Sequence, residues 1–174
     1  MNLWLTMPDG ALQPGFFAML AAFRDMREER YRDIYDDQAF DFAAYVAELN
    51  GFSRGENLPE GWVQASVFWL TDGSQIIGTG RVRHIADEEL LHDDGNIGYD
   101  INPQFRRQGY GTLMLALLLD EAKKMGMEKA LVTCESDNEG SRKIIEKNGG
   151  VYAGESVSKE NDKTVLRFWV AAAE

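Results

Sequence analysis

Four residues in one short loop have types and a spacing suited to binding an anion. Arg106 and Arg107 supply positive charge, and Gly109 and Gly111 follow them at a spacing that permits a tight turn. The next residues, 112–125, are strong helix formers. Glycine leaves backbone amides accessible at the start of such a helix. With two arginines beside them, these amides are predicted to bind a phosphate-like group.

A strand before the loop and a helix after it are predicted to position these residues. The strand covers residues 96–102 and ends at Pro103, because proline lacks the N–H that a ladder in the middle of a sheet requires. The helix ends at Gly126 and carries Lys123 and Lys124 in its last turn, where the helix dipole favours positive charge. The pattern therefore predicts a strand, a glycine loop and a helix in direct succession.

The glycine spacing distinguishes between classes of phosphate-binding loop. A Walker loop requires Gly-x-x-x-x-Gly followed by Lys-Ser or Lys-Thr, and a dinucleotide fingerprint requires Gly-x-Gly-x-x-Gly with an acidic residue about twenty positions later. Neither pattern is present here. Residues 106–111 instead follow the order Arg/Gln-x-x-Gly-x-Gly/Ala after a strand that ends in x-x-Pro. This segment resembles the pyrophosphate loop of the GNAT superfamily of N-acetyltransferases.

A second segment extends the resemblance. Residues 129–134 are predicted as a short buried strand. Residues 138–150 resemble the family's Asn-x-x-Ala/Ser…Glu-Lys-x-Gly segment, a helix whose asparagine approaches the pantetheine arm of acetyl-CoA. The resemblance covers roughly residues 62–170, and in detail the chain is similar to a group of predicted bacterial acetyltransferases.

The resemblance implies a fold, a co-substrate and a set of binding residues. The fold is mixed α/β, with a mostly antiparallel central sheet and flanking helices, in one GNAT-like domain over residues 1–174. The co-substrate is acetyl-CoA, whose pyrophosphate the amides of residues 108–112 hold and whose pantetheine arm pairs with the backbone near 101–103. The cofactor-binding residues that it implies are Ile101, Asn102, Arg106, Arg107, Gln108, Gly109, Tyr110, Gly111, Thr112, Asn138 and Ser141.

Some of these residues have a second interpretation. Asn138 follows Ser136 and Asp137, and any of the three is suited to cap the helix that comes next. Arg106 and Arg107 could be ordinary surface charges, although their place in the glycine loop favours contact with a phosphate. Gly109 and Gly111 could belong to a strand-to-helix turn without a ligand.

Two residues that often transfer protons in this family are replaced here. A glutamate at the start of the central strand often serves as the base, and the aligned residue is Asn96. A tyrosine on the helix after the fifth strand often serves as the acid, and the aligned residue is Ile145. Ser141 shares a helix face with Asn138 and Ile145, so it is the nearest polar group to the missing hydroxyl.

The candidates for the base are His84, Glu135, Asp100 and His92. His84 titrates near neutrality, but a single histidine on a strand is more often a structural residue. Glu135 follows the fifth predicted strand, where its carboxylate reaches either the slot beside that strand or the solvent. Cys134 would allow covalent catalysis, but we favour a small buried strand residue because the sequence assigns it no activating partner. We predict His84, Glu135 and Ser141 as the catalytic residues.

An acidic and aromatic segment near the N-terminus is a candidate for contact with the acceptor. In acetyltransferases of this type, the region of the first two helices overhangs the acceptor site. That would bring Tyr31, Asp33, Tyr35, Asp36 and Asp37 near an incoming amine. The alternative is a solvated acidic loop, which we favour because runs of charge usually lie at the surface.

Periodicity predicts the other elements. Phe16, Leu20 and Phe23 recur at helical spacing after Pro14, and Asp41 is a suitable N-cap for a second helix that ends at 50–51. The remaining strands are predicted at residues 2–6, 62–70, 75–85, 150–157 and 164–170.

Composition limits the classes of partner. The 174 residues suit one domain, and 18 basic against 29 acidic residues give a formal net charge of −11, which disfavours a nucleic-acid partner. The same charge weakly favours a cationic acceptor. One cysteine excludes an intramolecular disulfide, and the absence of a Cys/His cluster with ligand spacing predicts no metal. The N-terminus lacks the basic start of a secretory signal. The longest apolar run, 113–119, is too short to span a bilayer. We therefore expect a cytoplasmic protein without a membrane partner.

The resemblance to GNAT enzymes implies an acetyl-CoA-dependent N-acetyltransferase. It transfers the acetyl group to an amine of a small molecule or peptide by direct attack in a ternary complex. The alternative is a catalytically impaired module that binds or senses acyl-CoA, since Asn96 and Ile145 replace the usual base and acid. A homodimer is compatible with either function.

Overall fold

The protein, seen in a computed structural model that describes residues 2–85, 95–158 and 161–172, forms one seven-stranded sheet within those ranges, with helices on both faces. Short 3-10 turns at Gly10–Leu12 and Pro103–Phe105 precede α1 and the glycine loop. The strands and helices, in chain order, are β1 (Trp4–Thr6), α1 (Gln13–Asp25), α2 (Arg32–Tyr35), α3 (Phe42–Phe52), β2 (Ala65–Thr71), β3 (Ile76–Arg83), β4 (Ile97–Ile101), α4 (Tyr110–Lys124), β5 (Lys129–Glu135), α5 (Glu139–Lys147), β6 (Val151–Val157) and β7 (Thr164–Ala171).

The middle of the sheet contains its parallel pair of strands. The strand order is β1-β2-β3-β4-β5-β7-β6, and in this described sheet β4 and β5 are parallel while all other neighbours are antiparallel. The prediction of a mixed, mostly antiparallel sheet is confirmed. β4 and β5 pair only at Ile97 and Val132. Beyond that pair the two strands lack a shared ladder, which leaves a slot between residues 98–101 and 133–135.

Each face of the sheet packs against its own apolar core. Phe68 and Leu70 belong to a core shared with α4 and α5, whereas Val67 and Trp69 belong to one shared with α1 and α3. Side chains alternate between the faces of a strand, so β2 contributes to both cores and is buried along its whole length. The sequence predicted this strand over residues 62–70, whereas the structure has it at Ala65–Thr71. Helices cover both of its faces.

The first two predicted helices are present. Pro14 lies in the first turn of α1, and Phe16, Leu20 and Phe23 are buried beneath it. The Asp41 side chain caps α3 by accepting a hydrogen bond from the Ala44 amide at 3.0 Å. Between them, α2 is a single turn that the sequence did not predict, because mixed charges over so few residues carry no helical period.

α4 is preceded by a residue in the left-handed region and packs closely on α5. Gly109 precedes the helix with φ +86, a value that glycine adopts without steric penalty. Gly111 lies where an added Cβ would be 2.5 Å from Ile144 Cδ1, so the absence of a side chain permits the contact between α4 and α5. The two glycines of the loop therefore have different structural roles.

Within the described ranges, no helix combines the length and apolar character needed to cross a bilayer.

Candidate active site

Two cavities meet at the slot between β4 and β5. The first, here called the loop cavity, has a volume of about 680 Å³ and lies beside the glycine loop and α5. The second, here called the sheet cavity, has a volume of about 450 Å³ and lies over β3 and β4 on the face that carries α1 and α3. The residues that line both cavities are Tyr99, Asp100, Asn138 and Ser141.

Most of the residues predicted to bind the cofactor line the loop cavity. Those that do are Ile101, Arg106, Arg107, Gly109, Gly111, Thr112, Asn138 and Ser141. Three others, Asn102, Gln108 and Tyr110, are not among its lining residues. Asn102 is buried, because its side chain donates to Ile76 O at 3.0 Å and accepts from the Gln104 amide. The structure therefore gives Asn102 a role in holding β3 and β4 together.

The start of α4 is open to a ligand. No side chain caps Gly109, and the Leu113 amide is the first to donate back to it, at 3.2 Å. The amides of a first helical turn have no partner inside the helix. Arg107, exposed and at φ +60, also lines the cavity. Across the described ranges Arg107 forms no ion pair with a carboxylate. The first-turn amides of α4, the helix dipole and the guanidinium of Arg107 together favour the binding of an anion here.

Arg106 is held by the protein itself. Its guanidinium donates to Glu28 Oε2 at 2.8 Å and to Ile101 O at 3.0 Å, and it lies over the ring of Phe23. The hydrogen bond with Glu28 raises the pKa of Arg106. These contacts connect the glycine loop to the end of α1, so Arg106 positions the loop. Its partner Glu28 also lines the loop cavity.

A tyrosine and a serine meet at the junction of the two cavities. Tyr99 extends from β4, and its hydroxyl is 3.0 Å from the Ser141 hydroxyl on α5. Burial raises the pKa of Tyr99 to about 12, so the phenol stays protonated at neutral pH. The sequence identified Ser141 but missed Tyr99. The contact joins residues that are 42 positions apart, and helical or strand periodicity carries no information about such a contact.

A carboxylate lies next to this pair along β4. Asp100 Oδ2 accepts a hydrogen bond from Arg30 at 2.9 Å. Burial raises the pKa of Asp100, and Arg30 and Arg106 oppose part of that rise. A carboxyl group with a raised pKa is a better proton acceptor than an ordinary one once it is ionised. Asp100 was one of the four sequence candidates for the base.

The other candidates for the base are less well placed. Glu135 lines the sheet cavity, but it accepts hydrogen bonds from Lys163 and Asn161, and the contact with Lys163 lowers its pKa. His84 lines neither cavity, because it follows Arg83 in the alternation of β3 and so faces away from the sheet cavity. Its Nε2 is 2.9 Å from Ser66 Oγ, and burial lowers its pKa. His92 lies outside the described residues.

Asn138 caps a helix and also lines both cavities. Its side chain caps α5 by accepting a hydrogen bond from the Ser141 amide at 3.0 Å, and it also lines both cavities. The cap fixes the start of α5 and therefore the height of Ser141 above the slot. A structural role and a contact with a ligand are thus compatible at this residue.

The lining of the sheet cavity includes three arginines and several aromatic residues. Arg30, Arg81 and Arg83 contribute guanidinium groups, and Tyr31 is held by a 2.6 Å hydrogen bond between its hydroxyl and Thr79 Oγ1. Of the acidic and aromatic segment predicted near the acceptor, only Tyr31 lines this cavity. The others, Asp33, Tyr35, Asp36 and Asp37, do not.

Cys134 lines the sheet cavity as well. It is a buried free cysteine on β5, and burial raises the pKa of its thiol. A raised pKa reduces the fraction of thiolate, which is the nucleophilic form. The side chain of Cys134 is therefore better suited to packing within the strand than to acting as a nucleophile.

Over the described ranges, no group of three or more His, Cys, Asp or Glu residues is arranged to hold a metal.

The family can be assigned by comparison with known proteins. A model of the acetyltransferase (GNAT) domain matches residues 13–151, which is most of the chain. The chain belongs to the GNAT acetyltransferase family. No curated protein sequence matches it significantly.

Solved structures of GNAT proteins share this fold. A ribosomal alpha-N-protein acetyltransferase in complex with coenzyme A is 16% identical with a TM-score of 0.73, and the match covers 100% of this chain and 97% of that one. A putative acetyltransferase from Salmonella typhimurium with acetyl-CoA is 13% identical with a TM-score of 0.65, covering 100% and 96%. A spermidine N-acetyltransferase chimera from Vibrio cholerae and hSSAT is 16% identical with a TM-score of 0.65, and the match covers 99% of this chain and 96% of that one.

The residues at the two usual catalytic positions of GNAT enzymes have structural roles in this chain. Asn96 is buried, and its side chain donates to Ile85 O at 2.9 Å and accepts from the Leu131 amide at 2.8 Å. It therefore connects the start of β4 to β5. Ile145 is fully buried in the core between α5 and the sheet. Neither side chain reaches the slot as a proton donor or acceptor.

Proposed function

We propose that the protein transfers the acetyl group of acetyl-CoA to an amine by direct attack in a ternary complex. The observation that carries this proposal is the junction of the two cavities at Tyr99, Asp100, Asn138 and Ser141. A cofactor in one cavity and an acceptor in the other would meet there. Membership of the GNAT family supplies the chemistry.

The loop cavity is suited to the cofactor. The pyrophosphate would accept hydrogen bonds from the first-turn amides of α4 at residues 110–112, with Arg107 beside it. The pantetheine arm would then follow β4 into the slot. Its amides would find partners there, because β4 and β5 share only one paired position. The thioester would reach Tyr99 and Ser141.

The backbone of β4 offers a donor for the developing oxyanion. The Asn102 amide donates to Ile77 O on β3 at 3.0 Å. Because N–H groups alternate between the two edges of a strand, those of Tyr99 and Ile101 are directed to the opposite edge, toward the slot. A donor fixed in advance at the point where charge develops lowers the barrier without reorganisation during the reaction.

Asp100 and Tyr99 are suited to the two proton transfers. An amine that enters through the sheet cavity would lose its proton to Asp100, whose raised pKa makes it a stronger base than an ordinary aspartate. The thiolate of CoA would gain a proton from Tyr99, which Ser141 orients. The two groups are adjacent on β4 and point to opposite faces of the sheet. They would therefore act on opposite sides of the thioester.

A catalytically impaired module that binds or senses acyl-CoA is the second candidate. It is favoured by the structural roles of Asn96 and Ile145 at the positions that usually supply base and acid. Such a module would keep the loop cavity and bind acetyl-CoA without turnover. The two candidates therefore differ in catalysis and agree in cofactor binding.

Two measurements separate these candidates. The first is thermal unfolding with acetyl-CoA, CoA, ATP or NAD. A ligand at 100 times its dissociation constant adds about 2.7 kcal/mol of stability, which corresponds to roughly 5–11 °C for a chain of this size. We expect that rise with acetyl-CoA and CoA. A larger rise with ATP or NAD would contradict the cofactor assignment.

The second measurement is the release of free CoA thiol with a panel of amines. Turnover with at least one amine supports the transferase. Stabilisation by acetyl-CoA without turnover of any amine, across a range of pH, would favour the binding module. The pH range is needed because both amine and base must be unprotonated for attack.

A further inference from the structure

In the part of the chain that the structure describes, Arg81 is a charged group of the sheet cavity that has no carboxylate partner. Of the two carboxylates that line it, Asp100 pairs with Arg30, and Glu135 pairs with Lys163. Within the residues that the structure describes, Arg81 forms no ion pair. The cavity therefore has excess positive charge at Arg81, although the chain as a whole has a net charge of −11.

The position of the Arg81 guanidinium is fixed by an aromatic ring. It lies 5.3 Å from the ring centroid of Trp62, which itself packs against Phe52. Stacking uses the face of the guanidinium and leaves its N–H groups, which lie in the plane, free to donate. Such a planar, preoriented group is suited to bind a carboxylate or phosphate with two parallel hydrogen bonds.

The space between Arg81 and the slot is open. Arg81 on β3 is opposite Gly98 on β4, and the nearest atom to a Cβ added at Gly98 would be Arg83 Nη1 at 3.9 Å. Asp100 lies two residues beyond Gly98 on the same face, so Arg81 and Asp100 are diagonal neighbours. The Cα atoms of such neighbours are about 7–8 Å apart. A small amine that also carries an anionic group is of a size to reach from one of these neighbouring strand positions to the other.

The surroundings of Arg81 favour an incoming anion. Burial lowers the pKa of Arg81, and the neighbouring guanidinium groups of Arg83 and Arg30 lower it further. A partly buried cation beside two others is destabilised by lost hydration and by repulsion. An anionic group bound against Arg81 would offset both effects. A purely cationic acceptor would add to the repulsion.

We propose that the acceptor is a small amine that also carries a carboxylate or a phosphate, with the anionic group bound by Arg81 and the amine at Asp100. This inference rests on the proposed acetyl transfer and specifies its acceptor. It adds an anionic group to the cationic acceptor that the net charge weakly favours, because the lining of the cavity, and not the outer surface, contacts the acceptor.

Matched pairs of amines test the proposal. Leucine and leucinamide differ in a carboxylate, and O-phosphoethanolamine and ethanolamine differ in a phosphate. The release of CoA thiol from acetyl-CoA gives kcat/KM for each, with wild type, Arg81→Gln and the control Arg24→Gln. Arg24 is an exposed residue of α1 that lines neither cavity. The melting midpoint of each protein is measured with each amine in the presence of CoA.

We expect wild type to prefer the anionic member of at least one pair. Arg81→Gln should lower kcat/KM for that amine by about 10- to 100-fold, the usual effect of losing a hydrogen bond to a charged group, and should change the neutral member by less than about twofold. Arg24→Gln should change neither. The pair of amines that responds to Arg81→Gln shows whether Arg81 binds a carboxylate or a phosphate.

Other outcomes overturn the inference. Equal use of both members by wild type would contradict it, and that result needs no variant. An equal loss for both members in Arg81→Gln would show that Arg81 acts on the fold. If no amine is turned over, a midpoint rise by an anionic amine that requires Arg81 would support the anion site and contradict the transferase. If no amine raises the midpoint either, the inference fails, while a rise with acetyl-CoA leaves cofactor binding intact.

Discussion

Replacing Tyr99 with phenylalanine tests the proposed proton donor most directly. Tyr99→Phe removes one hydroxyl and keeps the ring that packs against the core. The hydroxyl that is lost makes a 3.0 Å contact with Ser141. Because Ser141 is only partly buried, its own hydroxyl can turn to solvent, and the fold should be little affected.

The size of the effect follows from the role of the group. General acid–base catalysis contributes roughly 10²–10⁴-fold to rate, and a thiolate is a fair leaving group without protonation, so we expect kcat to fall by about 10²-fold. The KM for acetyl-CoA should change by less than about threefold, since the loop cavity keeps its phosphate contacts. The lost hydrogen bond contributes about 1 kcal/mol to stability, or roughly 2–4 °C in melting midpoint.

The pH profile makes the test specific. With its pKa raised to about 12, Tyr99 stays protonated through the usual assay range. Loss of the Tyr99 hydroxyl should therefore lower the rate by the same factor at every pH and leave the pH of the acid limb unchanged. The assay is CoA thiol release between about pH 6 and pH 10, with the exposed Tyr152→Phe on β6 as the matched control. A Tyr99→Phe turnover within about twofold of wild type would refute the assignment.

Two further substitutions test the neighbouring parts of the site. Gly109→Glu places a carboxylate at φ +86 beside the open start of α4, so it should abolish stabilisation by acetyl-CoA; unchanged affinity, measured by thermal shift or calorimetry, would contradict the site. Asp100→Asn should lower kcat by about 10²-fold. Burial raises the pKa of Asp100, so the wild-type rate should be lost as pH falls through a value above that of an ordinary aspartate. The part of the acid limb that belongs to Asp100 should disappear in the variant, which leaves only the limb set by the pKa of the amine, and an unchanged acid limb would assign the base elsewhere.

The sequence was most informative where local chemistry determines local structure. The glycine loop, the strand before it and the helix after it follow from proline, glycine and helix-forming residues within 96–125, and the structure has β4 and α4 there. The same holds for Asp41, whose side chain was predicted to cap a helix and does so. In each case the determining interaction joins residues a few positions apart.

The sequence was least informative where function depends on contacts between distant residues. Arg106 was interpreted as a phosphate ligand, because nothing local shows that Glu28, 78 positions away, holds its guanidinium. Tyr99 was missed for the same reason. His84 was proposed as the base from its titration range, yet strand alternation after Arg83, which lines the sheet cavity, turns it to the other face. The alternation can be read from the sequence, but it becomes informative about His84 only when the structure shows that Arg83 lines the sheet cavity.

The replacement of the two usual catalytic residues does not by itself imply loss of catalysis. Both ends of the Asn96 amide are hydrogen-bonded, to Ile85 O and to the Leu131 amide. A glutamate there would lose the donor that makes the partly buried contact with Ile85 O. Ile145 is fully buried in the core beneath α5 and has no group that could transfer a proton. Proton transfer would then have to come from groups at the slot itself. Tyr99 and Asp100 meet that requirement because adjacent residues of one strand face opposite sides, and the slot is the place where both sides are accessible.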